Sequence, residues 1–425
     1  MAAAVLESRA HKPASLIWAI GFLAVGFASV AWTRLGLAII LPEVMKGIGV
    51  TSLAIGGLIS TITVIGTGVA EPFLGRLSDI LNRRLALTIG LAGFSLFCLL
   101  TAFATNLPQM ITVRVLLGIM QGMFIPAYLA FVGGAFAKRR GLFLGILVGM
   151  FTLGNAIDPL FTRAVYGWAG NKWQAPSVVY GIFGLVLAAI VFALGRGGLF
   201  ELRRTRREDV AVETEAHAQR GAKTGLASRS MVLLMITMVG WGLTQYGYLG
   251  LFVTFLRTQQ HFSLSNAAIV LSIAGWVSYF SSWIMGWISD HIGRRYTLLI
   301  SGTMGIILSY PLFTLTGSFW PAVIIAIGFQ SFNGHFYPLG VAYAQDMARA
   351  HMLGGHSGAV SGIGHIMAGI AGFVAGSLAA SFGFASVGIV FTALSAVMVL
   401  CIFLTVDPVY QEKRAERAAT RLALA

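Results

Sequence analysis

Two arginines and one aspartate lie inside long apolar stretches of the sequence, where charged side chains are rare. Arg34 ends the segment VGFASVAWTR, Arg114 lies in MITVRVLLG, and Asp158 lies in GNAIDPLF. A charge in such surroundings is costly and is therefore a functional-site hypothesis by default. A guanidinium presents a rigid fork that matches a carboxylate or a phosphate. Because the stretches hold two arginines and few acids, these residues favour an anionic substrate.

Neutral polar side chains also interrupt the apolar stretches, and they are candidates for hydrogen bonds to the same substrate. An alternative is that Arg34 or Arg114 only pairs internally with Asp158, and a buried histidine often serves only as a structural hydrogen-bonding group. We predict a substrate site formed by Arg34, Gln121, Asn155, Gln245, Tyr246, Asn333, His335 and Tyr337.

Coupling of such a site to protons requires a side chain that gains and loses a proton. The candidates inside the apolar stretches are Asp158, His365 and Glu71. Histidine titrates near neutral pH, at a pKa of about 6.5 when unperturbed, which suits it to a switch. For Glu71, which precedes the end of its stretch, the alternative is a structural pairing with Arg76 or Arg83.

Enzyme chemistry is not indicated. The chain contains neither a GxSxG nucleophile elbow nor a GxxxxGK[ST] phosphate-binding loop, so we expect no enzymatic activity and no use of ATP. The acids and histidines form no spacing typical of a metal site, and we expect no cofactor. Cys98 and Cys401 both lie in apolar stretches, which excludes a disulfide framework.

The elements that must position these residues are membrane-spanning helices. The chain is 57% hydrophobic and only 10% charged, whereas soluble domains average about 25% charged residues. A helix that crosses a bilayer needs about 20 mostly apolar residues. The sequence contains twelve such segments, at about 16–41, 52–74, 85–104, 108–135, 140–165, 174–195, 229–256, 265–287, 296–315, 319–345, 355–380 and 384–405. The first is too long for a signal-peptide core, and we expect it to be retained.

The basic residues predict the orientation of these helices. Most of the 29 lysines and arginines fall in the loops that share a side with both termini, and such loops face the cytoplasm. This distribution also explains the net charge of +14 without a nucleic-acid partner. We therefore expect a monomer in the lipid bilayer of a bacterial-type inner membrane, with both termini cytoplasmic.

The two halves of the chain repeat each other. GRLSDILNRR at 75–84 corresponds to GWISDHIGRR at 286–295, and Asp79 and Asp290 are 211 positions apart. The same offset pairs Arg34 with Gln245, and an offset of 212 pairs QGMFIP at 121–126 with NGHFYP at 333–338. The predicted organisation is a six-helix bundle at 1–195, a cytoplasmic linker at 196–228, a second bundle at 229–405 and a cytoplasmic tail at 406–425.

These motifs resemble those of the major facilitator superfamily over essentially the whole chain. The resemblance rests on the duplicated loop and on the segment RVLLGIMQG at 114–122. It implies an all-α membrane protein in which two pseudo-symmetric six-helix bundles rock about a central cavity. Glycines of the fifth and eleventh segments, such as Gly149 and Gly372, would then pack the two bundles together. The predicted gating residues are Asp79, Arg83, Arg84, Asp290, Arg294, Arg295 and Arg114.

The first segment is also similar to that of the anion:cation symporter branch, which moves organic acids. In that branch an aspartate usually precedes the arginine and an acid occupies the fourth helix, whereas this chain has Thr33 and Gln121. We predict proton-coupled symport of a small organic anion. An efflux antiporter for drugs or metabolites is the alternative, and a non-transporting sensor is a third possibility. Aromatic residues support efflux: Trp32, Tyr246, Trp276 and Tyr279.

Overall fold

Fifteen α-helices make up most of the computed structural model, which describes residues 13–80, 83–135, 140–195, 228–315, 317–347 and 353–406. These residues contain no β-strand. The helices are α1 (Pro13–Ile39), α2 (Leu41–Gly47), α3 (Leu53–Thr61), α4 (Thr63–Ile80), α5 (Arg83–Thr101), α6 (Leu107–Ala135), α7 (Arg140–Trp168), α8 (Ala175–Leu194), α9 (Arg229–Thr258), α10 (Leu264–Ile292), α11 (Arg294–Leu312), α12 (Phe319–Asn333), α13 (Phe336–Met347), α14 (Leu353–Phe382) and α15 (Phe384–Leu404).

All twelve predicted apolar segments are helical. The second is interrupted at Ile62, between α3 and α4, and the tenth is interrupted at Gly334 and His335, between α12 and α13. The short helix α2 was not expected from the sequence. Among the described residues, nine helical stretches are long and apolar enough to cross a membrane by length and composition. The predicted linker at 196–228 lies, except for Ser228, outside the described residues.

Serine side chains begin several of these helices. The Oγ atoms of Ser52, Ser228 and Ser263 accept hydrogen bonds from backbone N–H groups three residues later, at the starts of α3, α9 and α10. A side-chain acceptor at this position satisfies an N–H group that has no partner within the helix. The loop residues therefore set where each helix starts, and the apolar surfaces decide how the helices pack.

The N-terminal half (α1–α8) and the C-terminal half (α9–α15) repeat each other in structure. Arg84 of α5 donates a hydrogen bond from Nε to the carbonyl oxygen of Phe192 at 3.0 Å, and its guanidinium lies 4.0 Å from the Phe192 ring centroid. Arg295 makes corresponding contacts with Phe403: its Nη2 atom donates to the carbonyl oxygen, and its guanidinium lies 5.5 Å from the ring centroid. Arg84 and Arg295 are 211 positions apart, and so are Phe192 and Phe403, so the duplication seen in the sequence is also a duplication of contacts.

The duplicated loop is described in one copy. Asp290 pairs with Arg294 at 2.7 Å, and Arg294 also lies 3.4 Å from Asp346 at the end of α13. These ion pairs stay within the C-terminal half. The side chain of Asp79 lies outside the described residues, so the gating role of the loop stays a prediction.

Small residues bring the two halves together along two interfaces. One lies between α3–α4 and α14, where a Cβ atom on Gly57 would be 1.9 Å from the carbonyl oxygen of Gly372. The other lies between α7 and α10, where Ser272 donates a 2.5 Å hydrogen bond to the carbonyl oxygen of Ala156. Residues without bulky side chains permit such close backbone approach.

Candidate substrate-binding site

Arg34 lies at the centre of the bundle, with only 1% of its surface exposed. Its Nε atom donates to Oε1 of Gln121 at 3.0 Å, Nη1 donates to the hydroxyl of Tyr246 at 2.8 Å, and Nη2 donates to Oγ1 of Thr67 at 3.2 Å. These acceptors belong to α6, α9 and α4, so one guanidinium joins four helices. The guanidinium also lies 5.5 Å from the ring centroid of Phe151 in α7.

Among the described residues, no carboxylate lies within ion-pair distance of Arg34. The ion pairs found there all lie elsewhere, and the three acceptors of Arg34 are neutral. A buried charge is stabilised best by an opposite charge at close range. The guanidinium is thus electrostatically suited to receive an anion.

Arg114 donates hydrogen bonds to the backbone of α1. It is 1% exposed, and it donates from Nη1 to the carbonyl oxygen of Thr33 at 2.7 Å and from Nη2 to the carbonyl oxygen of Arg34. These contacts hold the turn that carries the Arg34 side chain. Arg114 therefore lies beside the candidate site, and its predicted gating role stays a prediction.

Asp158 does not pair with either arginine. Its Oδ1 atom accepts hydrogen bonds from the hydroxyls of Thr162 at 2.8 Å and Tyr180 at 2.6 Å. All three residues lie in α7 and α8, within the N-terminal half. The internal pairing considered from the sequence is therefore not what neutralises Arg34 or Arg114 in this structure.

The C-terminal half reproduces the polar contacts without the charge. Asn333 donates from Nδ2 to Oε1 of Gln245 at 2.9 Å and to Oγ1 of Thr244 at 3.4 Å, as Gln121 donates to Oγ1 of Thr33 at 3.0 Å. Gln245 also donates to Oε1 of Gln330 at 3.1 Å. The two predicted repeat pairs thus occupy equivalent places, with the cation in one half only.

Tyr246 and its neighbours connect Arg34 to a second polar cluster. The ring of Trp241 lies 6.0 Å from Tyr246 and 5.3 Å from Tyr337, which in turn lies 5.1 Å from His365. His365 faces Glu71 of the other half, with Nδ1 and Oε2 3.1 Å apart. The cluster brings together two of the three predicted proton-coupling residues. Glu71 does not pair with Arg83, and the side chain of Arg76, the other arginine considered for it, lies outside the described residues.

Two predicted site residues, His335 and Asn155, lie apart from the Arg34 contacts, from the Gln245–Asn333 contacts and from the aromatic cluster. His335 directs Nε2 towards Oγ of Ser301 in α11 at 2.6 Å, and its Nδ1 has no hydrogen-bond partner in the described structure. Asn155 is buried, and its Oδ1 likewise has no partner there. Three residues of the site were missed: Thr67, one turn before Glu71; Gln330, three residues before Asn333; and Trp241, one turn before Gln245. Helical spacing from a residue already chosen could have found each of them.

An ion pair joins the halves at the face of the bundle opposite the termini. Arg257, at the end of α9, binds the carboxylate of Glu43 in α2 in a bidentate manner, at 2.9 and 2.7 Å. Both side chains are 22% exposed. Because Glu43 and Arg257 belong to different halves, this pair ties the two halves together at the opposite face.

We expect Glu43→Gln to raise the population of molecules open at the opposite face by a few-fold, because a partly exposed pair contributes on the order of 1 kcal/mol. Reactivity of cysteines introduced at this face measures the change. The exchanged variant Glu43→Arg/Arg257→Glu should restore the wild-type reactivity. Equal reactivity in all three proteins would mean that the pair does not contribute to closure.

We expect Gln121→Ala to weaken substrate binding more than Asn333→Ala. A neutral hydrogen bond contributes roughly 0.5–1.5 kcal/mol, and one to a charged group contributes more. Gln121 contacts the guanidinium of Arg34 directly, whereas Asn333 contacts neutral groups. Apparent affinities from uptake measure the order, with exposed Gln109 of the same helix changed to alanine as the control. A larger effect of Asn333→Ala would place the substrate in the C-terminal half.

Comparison with known proteins supplies the family context. The protein-family sequence model described as Major Facilitator Superfamily matches residues 17–318 and 269–425 of this chain. A triacylglyceride transporter of Mycolicibacterium hassiacum is 34% identical over 32% of this chain, and the match spans only 26% of that relative. A probable L-galactonate transporter of Escherichia coli is 24% identical over 69% of this chain and 64% of its own length. The multidrug resistance protein MdtG of Serratia proteamaculans is 23% identical over 64% and 66%.

The fold is also that of solved transporters. A bacterial homolog of the human lysosomal transporter Spinster, in an inward-facing and unoccupied conformation, superimposes with a TM-score of 0.66. The alignment covers 92% of this chain and 95% of that one at 17% identity. At that level of identity the similarity concerns the arrangement of the helices.

Proposed function

The chain belongs to the major facilitator superfamily, and from that premise we propose that it is a proton-coupled symporter of a small organic anion that works by alternating access. The family and the relatives identify it as a membrane transporter. The direction of transport, the proton and the anion are the proposal. We place the protein in a bacterial inner membrane as a monomer with both termini in the cytoplasm.

The observation that carries the proposal is the buried guanidinium of Arg34. It is surrounded by neutral hydrogen-bond acceptors and has no carboxylate within ion-pair distance among the described residues. A carboxylate that entered beside it would form charge-assisted hydrogen bonds, which are roughly twice as strong as neutral ones. Of the groups that Arg34 contacts in the described structure, only Tyr246 belongs to the other half. An anion that replaced Tyr246 beside Arg34 would therefore change a contact between the two halves.

The test uses one carbon skeleton with and without the charge. L-Galactonate and its neutral lactone are offered to proteoliposomes that contain the purified protein, with and without an inward proton gradient. We expect uptake of galactonate or of another carboxylate in the same panel, faster with the gradient, and no uptake of the lactone. Transport of neutral compounds with no preference for anions would overturn the proposal.

Efflux of bulky compounds is the second candidate, and the aromatic cluster favours it. Trp241, Tyr337 and Phe151 lie beside the polar contacts of Arg34. Of the four aromatic residues singled out in the sequence, only Tyr246 contacts Arg34; Trp276 is exposed, and Trp32 stacks on Tyr180 within its own half. Extrusion of a lipophilic cation such as tetraphenylphosphonium, driven by the proton gradient, would support efflux instead.

A further inference from the structure

Glu71 and His365 form a buried titratable contact between the two halves of the bundle. Their exposed fractions are 6% and 4%, and His365 Nδ1 lies 3.1 Å from Glu71 Oε2. The same Oε2 atom accepts a 2.8 Å hydrogen bond from Ser361. Glu71 lies in α4 and both partners lie in α14, so a change of charge on Glu71 acts directly on an interface that must rearrange during transport.

One oxygen of this carboxylate is left without a partner. Oε1 of Glu71 is buried and makes no hydrogen bond in the described structure. A buried ionised oxygen with no donor is costly, whereas the same oxygen carrying a proton is far less so. The geometry therefore offers a place for a proton on Oε1 while Oε2 keeps its two contacts across the interface.

The surroundings of Glu71 supply the charges that control this proton. From α14 it faces His365, and from α6 it meets the backbone at Gly122, where a Cβ atom would lie 3.1 Å from the Glu71 nitrogen. Among the described residues, the other titratable or charged groups close enough to interact with it electrostatically are Tyr337 of α13, Tyr246 of α9 and Arg34 of α1. Arg34 is the group among these that is positive at every physiological pH.

We propose that Glu71, with His365 as its partner across the interface, is the proton-binding residue that couples proton and anion movement. This inference rests on the proposed function. While Arg34 is free, its positive charge favours the ionised Glu71. An anion bound to Arg34 cancels that charge and so favours proton uptake by Glu71. By linkage the proton strengthens anion binding in equal measure, which is the condition for symport.

The other acid that is buried in the described part of the chain does not meet these requirements. Asp158 has its hydrogen-bonding partners in α7 and α8 of its own half. Its contacts do not cross between the halves, so rocking of the halves leaves them in place. The position equivalent to Glu71 in the second half is Ser282, at the offset of 211. The carboxylate is thus present in one half, as is the positive charge of Arg34, whose equivalent is Gln245.

The first experiment needs no substrate. Spin labels on cysteines at the exposed positions Trp168 and Trp320, which lie in different halves at the opposite face, report the distance between the halves from about pH 5 to 8, a range that includes the titration of histidine. Cys98 and Cys401 are first changed to alanine. We expect a pH-dependent shift in the distance distribution that Glu71→Gln loses and Asp158→Asn keeps. The inference would be overturned if the shift persisted in Glu71→Gln. It would also be overturned if the labelled protein that retains Glu71 showed no pH-dependent shift.

The second experiment separates this inference from the proposed function. With a carboxylate that the wild type transports, Glu71→Gln should lose most of the uptake driven by a proton gradient and keep exchange of that carboxylate at equal pH. Gradient-driven uptake by Glu71→Gln at the wild-type rate would reject Glu71 as the coupling residue and leave anion transport intact. Absence of carboxylate transport by the wild type would reject the proposed function, while the distance measurement still decides the role of Glu71.

Discussion

Arg34→Ala is expected to weaken the binding of an organic anion by roughly 10- to 150-fold. The estimate follows from about 1.5–3 kcal/mol for a hydrogen bond to a charged group, converted at about 1.4 kcal/mol for each factor of ten. The side chain is fully enclosed, and each of its three nitrogens has a neutral acceptor. Its removal therefore takes away the only positive group that we assign to the substrate.

The conservative change distinguishes charge from geometry. Arg34→Lys keeps the positive charge but loses the planar fork, which cannot be replaced by a single ammonium group. We expect binding between that of the wild type and that of Arg34→Ala, measured by isothermal titration calorimetry in detergent. Arg163→Ala, which removes an exposed arginine of the same half, is the control. Unchanged anion binding by Arg34→Ala would remove the main support for an anionic substrate and bring efflux forward.

Contacts within each half were largely predictable because the chain repeats itself. An offset of 211 aligns Thr33 and Arg34 with Thr244 and Gln245, and an offset of 212 aligns Gln121 with Asn333. In the structure each of these two amides bonds to the threonine of its own half. Apolar length predicted the helices themselves, because a spanning segment must satisfy its backbone hydrogen bonds internally.

Contacts between the halves could not be found in this way. Glu71 and His365 are 294 positions apart, and no repeat relation connects α4 with α14. The sequence indicates Glu71 and His365 as separate proton-coupling candidates. For the partner of Glu71 it offers only arginines that are near along the chain. His335 shows a different limit: the sequence predicts it in the substrate site, but the helix is interrupted at Gly334 and His335, and the histidine contacts Ser301 of α11.

Alanine at two glycines with equal crowding should have different consequences. A Cβ atom on Gly57 would lie 1.9 Å from the carbonyl oxygen of Gly372, and one on Gly118 would lie 1.8 Å from the carbonyl oxygen of Thr63. Neither carbonyl belongs to a flexible side chain, so the backbones must separate. The contact of Gly57 is between the halves, whereas that of Gly118 is between α6 and α4 of one half. We therefore expect Gly57→Ala to fold and Gly118→Ala to be strongly destabilised.

The reason is that the two halves are built to separate and the helices within a half are not. In Gly57→Ala the halves can remain apart at the opposite face, which leaves each core intact but prevents closure. Thermal unfolding in detergent should then be close to that of the wild type, transport should be largely lost, and cysteines at the opposite face should react faster. In Gly118→Ala the separation occurs inside a packed core, where overpacking costs roughly 1–3 kcal/mol or more, so the melting temperature should fall. Equal losses of thermal stability in the two variants would show that the interface between the halves is as rigid as a core, and alternating access through it would then be excluded.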